Sequence, residues 1–186
     1  LHFLTTKIAA SMEQTLYNGF LSGADLAGRG YFYVNPLLSR QGHTRPEWHG
    51  CACCPPNVMR TLASVTKFFA TYSDDGVQVH HYSAATVAVD ERIAFDMQTN
   101  YPWDGEITLT LNDDCITSAW TLQLRIPAWC DGAELSVNGE AYPLHIDTGY
   151  TSITREWRAG DRVRLLLPMP VQIIGGHRHI DAARGT

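Results

Sequence analysis

Three cysteines stand within four residues, Cys51, Cys53 and Cys54, and Pro55, Pro56 and Asn57 follow them directly. A thiolate is both a strong nucleophile and a strong zinc ligand, and zinc binding takes the proton off the thiol outright. The cluster therefore points to a zinc-bound thiolate that can attack carbon. Pro55 steers Cys54 away from helical angles, and Pro56 does the same to Pro55, so a stiff knuckle is expected. Asn57 can cap a helix that starts directly after it, and the dipole of that helix favours an anionic sulfur. A structural zinc knuckle, or simply buried thiols, fits the same spacing equally well. A zinc site wants about four ligands. The chain offers no second C-x-x-C and no H-x-x-x-H after the cluster, which leaves His43, His49, an acidic residue or residues outside this sequence. A disulfide framework spreads its cysteines and uses an even number. Here there are five, with Cys115 and Cys130 isolated and expected to be inert, so thiol or metal chemistry in a reducing compartment fits better.

Other chemistry-bearing residues carry weaker signals. Glu13 follows the apolar position Met12 on an expected helix, where a solvated charge is the plain reading. Tyr31, Tyr33 and Asn35 would share one face of an alternating strand, and aromatic rings beside an amide suit a sugar. An ordinary half-buried edge strand explains them as well. His80 and His81 are adjacent on a strand, so they face opposite ways and read as structural. His177 and His179 share a face, a slight hint of metal binding. Trp103, Trp120, Trp129 and Trp157 read as core or sheet-packing residues.

The elements that must position these groups change character along the chain. Leu4, Ile8, Met12, Leu16 and Phe20 repeat at helical spacing, so residues 1–22 read as a helix that Gly23 stops. YFYVNPL reads as a short strand and 38–50 as a polar loop. NVMRTLASVTKFFATYS, 57–73, reads as a second helix with Val58, Leu62, Val65 and Phe69 on one stripe. After Asp74-Asp75-Gly76 eight alternating runs follow, separated by turn signals such as Asp104-Gly105, Asn138-Gly139 and Ala159-Gly160, which is the pattern of a β-sandwich. The expected division is 1–75 and 76–186.

The 186 residues are 45% hydrophobic and 18% charged, with a net charge of −5. That balance argues against nucleic acid or an anionic membrane as partner. Arg155, Arg158, Arg162, Arg164, Arg178 and Arg184 gather late in the chain, where alternation with strand residues predicts a solvated sheet face. No apolar run reaches the roughly 18 residues of a membrane span. The chain opens on Leu inside a helical pattern and ends on DAARGT, so a fragment cut at both ends is expected.

GCACCPPNVMR, with LYNGFLSG and YFYVNPL before it and YPWDGEITLTL, RIPAW, LSVNGE and LPMPVQ after it, resembles the bacterial β-L-arabinofuranosidase family of zinc-dependent glycoside hydrolases. The resemblance implies a multidomain α and β protein: the C-terminal end of an (α/α)6 barrel followed by an antiparallel β-sandwich. It implies a retaining glycosidase in which a thiolate replaces the usual nucleophilic carboxylate. Residue by residue, it makes Cys53 the nucleophile and a zinc ligand and Cys54 the second ligand. It leaves Cys51 without a metal role, gives Tyr33 a sugar contact and makes Glu13 necessary for activity. The other two ligands of the Zn2+ ion, a Glu-x-Cys pair, and the glutamate acid/base belong to family sequence N-terminal to the first helix and are absent here. The chain alone is therefore expected to be inactive and to bind zinc weakly. The implied substrate is a plant-type, arabinose-containing glycan. The cytoplasm is the expected location, and a homodimer stays open. The competing expectation is a non-catalytic carbohydrate-binding or structural β-sandwich with a zinc knuckle.

Overall fold

Strict alternation of apolar and polar residues puts one face of a strand in the core and the other in solvent. The computed structural model, which describes residues 6–34, 42–51, 53–112, 117–173, 175–177 and 179–180, follows that rule in most strands after residue 70, while Gly76–Val79 is buried on both faces. The strands are β1 (Ala70–Ser73), β2 (Gly76–Val79), β3 (Ala85–Ala88), β4 (Ala94–Thr99), β5 (Glu106–Leu111), β6 (Ser118–Arg125), β7 (Glu134–Val137), β8 (Glu140–Ala141), β9 (Ile146–Asp147), β10 (Tyr150–Trp157) and β11 (Arg162–Leu166). They form a sheet ordered β1-β2-β6-β10-β9 and a sheet ordered β3-β4-β5-β11-β7-β8. One core joins them: Val77, Val79, Leu122, Leu124 and Ile153 from the first meet Phe95, Met97, Ile107, Leu109, Val163 and Leu165 from the second. Each such side chain stabilises the fold by about 1.5–3 kcal/mol on burial.

All eight expected runs contain strands. Three details differ. β1 lies in the stretch read as the end of the second helix, because Ala70–Ser73 pairs with β2 across the Asp74-Asp75 turn. β2 pairs with β6 in parallel, Val77 opposite Leu122, so the sandwich is not wholly antiparallel. Trp120 and Trp157 are buried with ring centroids 5.0 Å apart, but Trp103 and Trp129 are exposed in turns beyond β4 and β6 and pack no sheet. The arginines of β11 do face outward, Arg164 reaching Glu106 with two hydrogen bonds of 3.1 and 3.0 Å, but Arg155 of β10 shares the inward face with Ile153 and Trp157 and lies over the Trp157 ring at 5.4 Å. Arg178 and Arg184 lie outside the described residues, as do Asn35 and Cys115.

Before the sandwich stand two helices. α1 (Thr6–Gln14) passes into a π-helical turn at Thr15–Phe20 and a 3-10 turn at Leu21–Gly23, so the expected helix forms but loosens along its second half. Its buried side is Ala9, with Glu13 partly buried. The predicted apolar stripe instead borders an open cleft of about 950 Å³, where Ile8, Met12, Leu16 and Phe20 look across at Thr61, Val65 and Phe68. α2 spans Cys54–Ser64 and ends in a 3-10 turn at Val65–Phe68. No helix among the described residues is long and apolar enough to cross a membrane.

Candidate active site

α2 begins earlier than its sequence suggests. Cys53 is the residue before the first turn, with helical angles of φ −86 and ψ −42, and Cys54 is already helical. The two prolines therefore open the helix and do not hold Cys54 extended. A first-turn proline has the right φ, and its missing N–H is one the helix would leave unpaired anyway. Asn57 is not the cap: it sits inside the turn, its Nδ2 donating to the Cys53 carbonyl at 3.4 Å and its Oδ1 accepting from Arg60 at 2.8 Å.

This arrangement exposes Cys53 with its sulfur at the centre of a small cluster. Tyr33 Oη lies 3.7 Å away, Cys54 Sγ 3.6 Å and Cys51 Sγ 3.8 Å. The hydrogen bond from Tyr33 does most to lower the Cys53 pKa, with those from Cys54 and Cys51 adding to it. The same bond, and the negative charge it faces, push the Tyr33 hydroxyl up to about 12. Cys54 moves the other way, raised first by its hydrogen bond to Cys53. The three directions agree: the cluster favours negative charge on Cys53, while Tyr33 and Cys54 hold their protons more tightly. Cys130, partly buried, has its thiol pushed up by burial, which suits an inert residue.

Two thiolates on one tetrahedral zinc at about 2.3 Å stand about 3.8 Å apart. The Cys53–Cys54 separation fits two corners of such a site, and the Cys51–Cys53 separation fits the same span. Among the described residues, no three His, Cys, Asp or Glu side chains converge on a common metal position. His43 and His49 are engaged elsewhere: Nε2 of His43 donates to the Val34 carbonyl and Nε2 of His49 to the Tyr31 carbonyl, each at 3.0 Å.

Tyr33 reaches Cys53 from a bend and not from a strand. Among the described residues of its segment the one pairing is a single bridge between Ala24 and Tyr31, and Tyr33 and Val34 follow it in a bend. Tyr31 and Tyr33 therefore do not share a strand face; Tyr31 Oη bonds back to the Gly28 carbonyl at 2.7 Å.

Glu13 is placed apart from the thiols. Its Oε1 accepts from Tyr101 Oη at 2.7 Å and from Arg125 Nη2 at 2.5 Å. Neither partner was singled out in the sequence, since they lie 88 and 112 residues away and carry no local signal. His80 is structural, its Nδ1 2.8 Å from Tyr150 Oη and its Nε2 3.0 Å from Thr71 Oγ1. His177 and His179 stack at 5.3 Å on an exposed segment.

Two family models match the chain. Residues 4–67 match the model described as the β-L-arabinofuranosidase GH127 catalytic domain, and residues 76–169 match the GH127 middle domain. A non-reducing end β-L-arabinofuranosidase of Bifidobacterium longum subsp. longum is 32% identical over 178 residues, covering 87% of this chain and 27% of the relative. The crystal structure of a GH127 β-L-arabinofuranosidase from Geobacillus stearothermophilus T6 aligns at 40% identity with a TM-score of 0.83, over 94% of this chain and 30% of that one. A structure described as a glycoside hydrolase aligns at 36% identity and TM-score 0.83, over 93% and 31%. The chain thus spans less than a third of the length of each.

Proposed function

Because the chain belongs to the GH127 β-L-arabinofuranosidase family, we propose that it is the thiol-bearing portion of a longer retaining glycoside hydrolase acting on arabinose-containing glycans. The observation that carries the reading is the exposed Cys53 sulfur with Tyr33, Cys51 and Cys54 all within 3.8 Å. In this proposal the Cys53 thiolate attacks the anomeric carbon, the C–O bond to the leaving group breaks, and an acid outside this chain protonates the departing oxygen. Water then displaces the sulfur, giving up a proton to the same group, and the thiolate returns. Two inversions give net retention. Cys53 and Cys54 would hold the zinc ion, which when bound would keep the sulfur ionised at neutral pH. Tyr33 donates to the sulfur and offers its half-exposed ring to the sugar.

An apolar stripe of α1 that faces Thr61 of α2 and Val65 and Phe68 of the turn after it across an open cleft is what the last turns of a helical barrel would present without the rest of the barrel. That supports reading 1–75 as the end of an (α/α)6 barrel and 76–186 as the sandwich that follows. The test is turnover of a β-L-arabinofuranoside by the longer polypeptide carrying Cys53→Ser. Loss of turnover with an unchanged circular dichroism spectrum is expected; near-normal turnover would overturn the mechanism. The 186-residue chain alone is expected to be inactive.

A further inference from the structure

We infer that His43 and His49 form a bracket that holds Tyr33 against the Cys53 sulfur, and that both are positioning residues for this site. The inference rests on the reading of Cys53 as the nucleophile.

The observations are geometric. Tyr33 sits in a bend, outside any strand ladder, so ladder hydrogen bonds do not fix its backbone. The Phe32 N–H donates to the Gly23 carbonyl at 2.9 Å, and the remaining bonds come from the segment 42–50. His43 Nε2 donates to the Val34 carbonyl and His49 Nε2 to the Tyr31 carbonyl, which places one imidazole on each side of Tyr33. A carbonyl only accepts, so both rings must carry the proton on Nε2. The His49 ring also lies 5.9 Å from the Tyr33 ring, and the His43 ring 4.7 Å from Phe32. Between the two histidines the same segment holds on at two further points: Pro46 accepts from the Tyr31 N–H at 3.2 Å, and Arg45 lies over Phe32 at 4.3 Å with its Nη2 2.6 Å from the Ser22 carbonyl.

A bend carrying an exposed tyrosine gains little from burial, so its position depends on such directed bonds. A shift of about 1 Å in a group that must meet a reacting atom is enough to lower a rate by about a hundredfold. The Tyr33–Cys53 contact is already 3.7 Å, so little slack exists before it is lost. Gln carries an amide N–H near the place of the imidazole Nε2, so His→Gln keeps the donor where His→Ala removes it.

The experiment compares His49→Ala, His49→Gln, His43→Ala and Tyr33→Phe in the longer polypeptide, reading kcat and KM separately. His49→Ala is expected to lower kcat by the same factor as Tyr33→Phe. Adding it to Tyr33→Phe should change nothing further, and His49→Gln should restore most of the rate. In the 186-residue chain, alkylation of Cys53 by iodoacetamide at pH 7, followed by mass spectrometry, should slow about three- to tenfold in both His49→Ala and Tyr33→Phe. His49→Ala with wild-type kcat and wild-type alkylation beside an impaired Tyr33→Phe would overturn the bracket. So would additive effects in the double variant. The alkylation arm needs no turnover. Failure of the nucleophile reading would appear instead as turnover by Cys53→Ser, separately from the fate of the bracket.

Discussion

Glu13 of α1 and Arg125 of β6 meet in an ion pair at 2.5 Å, with the arginine side chain 0% and the glutamate 12% exposed. Arg125 also donates from Nε to the His80 carbonyl at 2.6 Å, while its backbone carbonyl accepts from Tyr82 Oη at 2.6 Å. One guanidinium thus ties the first helix to the residue that follows β2. Its Nη1 is buried without a partner among the described residues.

Removing one partner of a buried pair strands the other, which costs about 3–5 kcal/mol, whereas replacing both with apolar groups is often neutral. Glu13→Leu and Arg125→Met are each expected to lower stability by about that amount. The double variant should be more stable than either single one. Urea unfolding of the four proteins measures this, and additive losses would mean the pair does not couple the helix to the sandwich.

The histidines beside this anchor set the acid limit of the fold. Burial, first of all, lowers both His80 and His81 from 6.5 to about 4. The unfolded chain takes up protons near pH 6.5 that the folded chain refuses until about pH 4. A depressed histidine pKa therefore means that unfolding binds protons, and stability falls as pH drops between those values. The expected loss is on the order of 2 kcal/mol per ring. Urea midpoints between pH 7 and 5 should decline, and His80→Gln should remove about half of the slope. A flat profile over that range would contradict the burial assigned to the two rings.

Much of this architecture is legible in the sequence because alternation is a local signal. The runs around Phe95, Leu109, Leu122 and Val163 each announce a buried face, and Asn138-Gly139 marks its hairpin with φ of 53 and 85 at the two positions. The cysteine cluster is a local signal too, but its contact with Tyr33, 20 residues earlier in the chain, carries none. What could not be read is what long-range pairing decides: the parallel β2–β6 register, the capture of Ala70–Ser73 by the sheet, and the union of Glu13 with Arg125. The helical start at Cys54 departs from the sequence expectation for a different reason. The rule that a residue before proline avoids helical angles competes with the preference for proline in the first helical turn, and here the second prevails.

Gly76 shows how tightly the parallel pairing is drawn. Its φ is +147, and a Cβ placed there would lie 2.0 Å from the Thr121 carbonyl oxygen of the neighbouring chain segment. Backbone cannot yield as a flexible side chain can. Gly76→Ala is expected to lose about 2–4 kcal/mol through strain and separation of β2 from β6. Gly132→Ala, where φ is +75 but no atom lies within 4 Å, is expected to lose only about 1 kcal/mol. Thermal unfolding of the two variants separates the close approach from the backbone angle, and equal losses would assign the whole effect to the angle.

Two pairs among the three clustered thiols have the spacing of ligands on one zinc ion. Cys53 stands 3.6 Å from Cys54 and 3.8 Å from Cys51, and both distances match a shared zinc ion. If Cys53 and Cys54 are the ligands, Cys54→Ser in the longer polypeptide should weaken zinc binding roughly a hundredfold or more, because a neutral hydroxyl replaces a thiolate. Cys51→Ser should leave the metal in place and remove only the weakest of the three hydrogen bonds named for lowering the Cys53 pKa. Zinc content after gel filtration, together with competition by a chelator, reads both variants directly. Loss of zinc from Cys51→Ser with retention in Cys54→Ser would transfer the ligand role to Cys51. For the 186-residue chain the same measurement should give weak binding, since two thiolates supply only half of a tetrahedral site. Tight stoichiometric binding would require two further ligands from within these residues.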